Sequence, residues 1–175
     1  RLADAAARLQ VMQLSQYNAV GNSERYCEKV MSELLLSVTS DYDYIIIDDC
    51  STDRTMELCE KMGYPYLHLP INYGLTSAVQ LGYKYAVNHG YDVAIQFDGD
   101  GQHKAEYLKP LVEAVESGAD IAIASRFVTQ KKPWNARMLG SRLLSFLIRL
   151  TTGKKVSDPT SGMRAFSKDT FKEYA

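Results

Sequence analysis

Cysteine is scarce in this 175-residue sequence: Cys27, Cys50 and Cys59 are the only three. Their odd number and their spacing argue against a disulfide framework and against a zinc-type pairing, and they favour a reducing compartment. Net charge is equally thin. Twenty Lys and Arg stand against 21 Asp and Glu, a formal −1, so no global basic field calls for nucleic acid and any grip on phosphate must be local. No uninterrupted apolar run reaches the ~18 residues of a membrane span, and no secretory signal pattern opens the chain. "NYGLTSAVQLG" (72–82) lacks the close glycines of a dinucleotide-binding turn, and no P-loop occurs; a nicotinamide enzyme and a kinase-like fold both lose ground.

What remains is an ordinary globular composition, 46% hydrophobic and 23% charged, enough for one well-buried domain. Residues 9–175 read as that domain. Its end, "SKDTFKEYA", stops within a helical pattern and suggests a continuation, while residues 1–8 read as an extension or a remnant. Strand-like runs alternate with helical ones. "LQVMQLS" (9–15), "YDYIII" (42–47), "YPYLHL" (64–69), "DVAIQF" (92–97) and "ADIAIAS" (119–125) read as strands. Helices are expected over 22–38, from Ser51 or Thr52 to Gly63, from Thr76 or Ser77 to Gly90, over 105–117 and over 135–151. That alternation implies a mainly parallel sheet covered on both faces, with ligands beyond the C-terminal ends of its strands.

Two acidic clusters fall at such ends. In "IQFDGDGQH" (95–103), Asp98, Asp100 and Gln102 alternate, so an extended segment aims all three one way. Oxygen ligands of this kind suit Mg²⁺ or Mn²⁺; the other reading is a solvated acidic turn. An EF-hand is excluded, because its sixth position would be His103 and its twelfth Lys109. "DDCSTD" (48–53) either offers Asp48 or Asp49 to a base or ribose or makes a plain strand-to-helix turn, with Asp53 in the helix's first turn. His68 reads as a strand histidine, His89 as a cation near a helix C-terminus and Cys50 as packing. "WNARMLGSRLLSFLIRLTTGKK" (134–155) is apolar with basic residues on its flanks. It reads either as a core helix or as a helix lying in a membrane interface.

The ordered series "YNAVGN", "IIIDDCSTDRT", "NYGLTSAVQLGYKYA", "QFDGDGQH", "ASRF" and "DPTSGMRAF" resembles family 2 glycosyltransferases of the GT-A fold, an α/β architecture. The nearest branch looks like the polyprenyl-phosphate sugar synthases. The resemblance implies a metal-dependent, inverting transfer from a nucleotide-diphospho-sugar to a lipid phosphate or a glycan, at the cytoplasmic face of a membrane. It implies a donor site at Tyr17, Asn18, Asp48, Asp49, Asp98 and Arg126, a Mg²⁺ or Mn²⁺ held by Asp98, Asp100 and Gln102, and Asp158 beside the acceptor. The chain departs from the family at Ser15 and Ala19, where proline and an acid are usual, and at Thr76, where glycine is common. The first two departures leave a catalytically impaired nucleotide-sugar-binding module as the alternative. A nucleotidyltransferase would need a triphosphate-gripping basic loop that the sequence does not offer.

Overall fold

The computed structural model of the protein describes residues 8–14, 42–98, 104–125 and 136–175. Among them the elements run β1 (Arg8–Leu14), β2 (Asp43–Asp48), α1 (Thr55–Met62), β3 (Tyr66–His68), α2 (Leu75–Asn88) and β4 (Val93–Asp98). A 3-10 turn at Ala105–Tyr107 then leads into α3 (Leu108–Glu116), followed by β5 (Ile121–Ile123), α4 (Ala136–Thr152), β6 (Arg164–Ser167) and α5 (Lys168–Tyr174). The helix expected over 22–38 lies outside the described residues.

The strands form one sheet in the order β3-β2-β1-β4-β6-β5. β3, β2, β1 and β4 run parallel to one another, and β6 runs antiparallel to both β4 and β5. The expected parallel sheet is therefore present, with one reversed strand that four residues of "RAFS" did not announce.

Alternation along each strand feeds two cores. Ile46, Ile95 and Phe97 pack with Leu58 and Cys59 of α1 and with Leu111 and Val112 of α3. Ile45, Ile47 and Ala94 face the other way, against Ala78, Tyr83 and Ala86 of α2 and Phe171 of α5. Burial on both faces is why "YIIID" and "VAIQF" read as continuous apolar runs.

Two helix starts differ from expectation. Neither Ser51 nor Thr52 caps α1, and Asp53 precedes the helix. Its Oδ1 accepts the Thr55 N–H at 3.0 Å. Thr76 and Ser77 lie inside α2, which begins after Gly74, a glycine at φ 83. The N–H groups ahead of that helix are taken by Asp49 instead. Gly63 and Gly90, the expected stops, do follow α1 and α2, at φ 68 and 76.

Candidate functional site

The register brings the acidic strand ends together. Asp48 is level with Leu14 and Asp98 with Gln13, so the two aspartates flank the end of β1, two strand spacings or about 10 Å apart along the sheet. His68, the last residue of β3, is level with Asp48. Because β6 is reversed, its first residue, Arg164, sits level with Gln96 and Ile123. The loop before it delivers Asp158 to the same end of the sheet. Asp48, Asp49, Asp98 and Asp158 thus gather on one edge, whereas Tyr17, Asn18, Asp100, Gln102 and Arg126 lie outside the described residues.

Asp48 and Asp49 are both shut away from solvent and both have partners within the chain. Asp48 Oδ2 lies 2.7 Å from His68 Nδ1. The Ser51 N–H points at its two oxygens, at 3.2 and 3.3 Å. Asp49 accepts the Tyr73 N–H on Oδ1 and the Gly74 N–H on Oδ2, each at 2.9 Å. A carboxylate without water needs such donors, and one at a helix N-terminus also meets the positive end of the dipole. Cys50 follows with φ 60, the one non-glycine residue at positive φ among those described. His68 is therefore more than a strand histidine, since it is the cross-strand partner of Asp48.

The Asp158 loop is pinned on both sides. Asp158 is buried and its Oδ1 accepts from Thr160 Oγ1 at 3.1 Å. Ser161 Oγ donates to the Ala124 carbonyl at 2.6 Å and Ser157 Oγ to Ser125 Oγ at 2.9 Å, fastening the loop to the end of β5. Arg164 reaches back from β6. Its Nε donates to the Ser161 carbonyl at 2.7 Å and its Nη2 to the Pro159 carbonyl at 3.0 Å. Ser161 and Arg164 both stand in "DPTSGMRAF", a motif in which residue type alone singles out only Asp158.

Asp98 stands half-buried where β4 ends. Among the described residues no group of three or more His, Cys, Asp or Glu side chains is placed to hold a metal, and two of the three expected ligands fall outside them.

Helix α4 has its faces inverted. Leu139, Leu143, Phe146, Leu147 and Leu150 share one face and are 46–70% exposed, whereas Ser141 is buried and Ser145 and Ile148 are half-buried. Arg142 and Arg149 lie along one flank of the apolar stripe by their helical spacing. No helix among the described residues is long and apolar enough to cross a membrane.

Comparison with known proteins gives these features a setting. The model of the family "Glycosyl transferase family 2" matches residues 17–175. Polyprenol monophosphomannose synthase of Mycolicibacterium smegmatis is 30% identical over 139 residues, covering 74% of this chain and 52% of that protein. Undecaprenyl-phosphate mannosyltransferase of Micrococcus luteus is 34% identical over 138 residues, covering 74% of this chain and 56% of its own. The chain thus spans about half the length of these two relatives. A crystal structure of glucosyl-3-phosphoglycerate synthase from Mycobacterium tuberculosis, in complex with Mn²⁺, UDP-glucose and glycerol 3-phosphate, superposes with a TM-score of 0.70 at 19% identity. That match covers 94% of this chain and 57% of the other, and at such identity it speaks for the fold alone.

Proposed function

The chain belongs to glycosyl transferase family 2 and has the GT-A fold, and from that premise we propose that it moves a sugar from a nucleotide-diphospho-sugar to a polyprenyl phosphate at the cytoplasmic face of a membrane. The observation that carries the reading is the gathering of Asp48, Asp49, Asp98 and Asp158 at the C-terminal ends of the parallel strands, where open α/β sheets bind their ligands. The base lies over the end of β2, near Asp48 and Asp49, with Tyr17 and Asn18 completing the donor site. Asp98, Asp100 and Gln102 would hold Mg²⁺ or Mn²⁺. Their oxygen donors fit a hard cation, and Asp98, half-buried at the strand end, fits the first ligand position. That ion would neutralise the leaving diphosphate, and Arg126 adds a second positive charge beside it.

Attack from the opposite face inverts the anomeric centre in a single displacement. A phosphate acceptor is already ionised at neutral pH, since its second pKa is about 6, so no group need take its proton. Asp158, fixed in its loop, orients the acceptor and the sugar. With a hydroxyl acceptor the same carboxylate would serve as the base.

The membrane part of the reading rests on α4 and on charge. Between Asp120 and Asp158 the chain has no acidic residue and eight basic ones: Arg126, Lys131, Lys132, Arg137, Arg142, Arg149, Lys154 and Lys155. An exposed apolar stripe flanked by Arg142 and Arg149, within a stretch of sequence of that charge, matches an anionic lipid surface, where each cation near the surface contributes about 1 kcal/mol.

Calorimetry with UDP and GDP in the presence of Mn²⁺, paired with a donor-hydrolysis assay, tests the reaction. Metal-dependent binding that Asp100→Ala abolishes, together with turnover, supports the enzyme. Binding without turnover favours the impaired module.

A further inference from the structure

We infer that His68, seated by Asp48, is the group that reads the hydrogen-bonding edge of the donor's base, and that it selects a base carrying a ring N–H, as uracil and guanine do. This rests on the nucleotide-sugar reading above and sharpens it, because it moves the base contact from the paired aspartates to the imidazole.

Three observations lead there. Asp48 and His68 are opposite each other in the parallel register of β2 and β3, both at the strand ends that face the ligand. Their exposure differs sharply: the Asp48 side chain is 0% exposed and that of His68 is 41%. Asp49 is buried as well, with each oxygen accepting a backbone N–H. Of these three polar side chains the imidazole alone meets solvent.

The third observation is chemical. With Asp48 ionised its carboxylate only accepts hydrogen bonds, so His68 Nδ1, 2.7 Å from Oδ2, is the donor of the pair. In the neutral ring Nε2 is then an acceptor, held in a fixed direction by the bond on the other side. Uracil and guanine each present a ring N–H on their pairing edge. Cytosine and adenine present a bare ring nitrogen at the equivalent place, and two lone pairs would face each other.

The test is titration of UDP, GDP, CDP and ADP, each with Mn²⁺, into the parent protein and into His68→Asn and His68→Gln. The asparagine amide keeps a donor for Asp48 but offers nothing at the Nε2 position, whereas the glutamine carbonyl reaches it. The parent should favour UDP or GDP. His68→Asn should unfold at the parent's temperature yet bind the favoured nucleotide about tenfold more weakly and lose its base preference. His68→Gln should regain part of the affinity. In ¹⁵N-histidine-labelled parent protein, the His68 Nε2 resonance should move on nucleotide addition while Nδ1 stays protonated.

Parent-like affinity and base preference in His68→Asn would overturn the inference and leave the nucleotide-sugar reading standing. If the parent binds none of the four nucleotides, that reading falls and takes this inference with it. Should His68→Asn fail to fold, the labelled parent decides, and an Nε2 resonance unmoved by bound nucleotide overturns the inference.

Discussion

Arg164 holds Ser161: its Nε donates to the Ser161 carbonyl at 2.7 Å, across the turn that carries Asp158 to the sheet edge. A second bond runs from the same guanidinium to the Pro159 carbonyl at 3.0 Å. Two carbonyls of one loop thus depend on one side chain. Arg164→Ala should cost about 1.5–3 kcal/mol, the range for a hydrogen bond to a charged group, and urea denaturation measures it. Arg164→Lys cannot span both carbonyls and should recover only part of the loss. In a transfer assay both variants should lower kcat more than they raise the KM for the donor, since the proposed reading sets Asp158 beside the acceptor and the nucleotide contacts elsewhere.

Asp49 predicts a larger structural effect than its place in a binding motif suggests. Asp49→Ala leaves the N–H groups of Tyr73 and Gly74 without their acceptor. The expected loss is about 1–3 kcal/mol, seen as a shift in the denaturation midpoint. Asp49→Asn keeps one acceptor oxygen and should lose less. A nucleotide-binding defect in Asp49→Ala therefore has to be read beside its stability.

Cys50 sits at φ 60 with a side chain that this conformation disfavours. Replacing it by glycine removes the clash of Cβ with the backbone, and Cys50→Gly should stabilise the protein by about 1 kcal/mol. Cys50→Val should destabilise it, because a β-branched side chain fits that region worst. Thermal unfolding of the pair should show midpoints moving in opposite directions from the parent.

The exposed stripe of α4 allows a substitution test without the usual cost of changing a leucine. Leu143 and Phe146 are 59% and 61% exposed, so Leu143→Asp and Phe146→Asp should leave stability within about 0.5 kcal/mol of the parent, as surface changes do. Both should weaken sedimentation with anionic liposomes, as should Arg142→Glu with Arg149→Glu. Raising the salt should weaken the parent's binding in the same assay.

Much of this was readable from local pattern. "YIIID" and "VAIQF" announced β2 and β4 because strands buried on both faces are continuously apolar. The acidic strand ends followed from those boundaries. What escaped depends on register or on distant partners. The bond between Asp48 and His68 exists because β2 and β3 align those two residues, and a sequence does not print its register. Asp49 caps the head of a helix from 24 residues away, a distance over which local pattern offers only Thr76 and Ser77 as caps. Ser161 and Arg164 act through carbonyls, which leave no mark in residue type. The periodicity of α4 was visible at Leu139, Leu143, Phe146, Leu147 and Leu150, but period identifies a face and not what lies against it. Its outward direction came from the structure.

The central claim is transfer to a lipid phosphate, and the most direct measurement is to follow the sugar. The protein is incubated with a labelled nucleotide-sugar, Mn²⁺ and polyprenyl phosphate in anionic vesicles, and the label is partitioned between water and organic solvent. The account predicts label in the organic phase, linked to the lipid phosphate with inverted anomeric configuration. Chelation of the metal and Asp98→Ala should both abolish it. A donor that binds with metal yet leaves no label on lipid would contradict the account, and label on a soluble glycan instead would contradict the choice of acceptor.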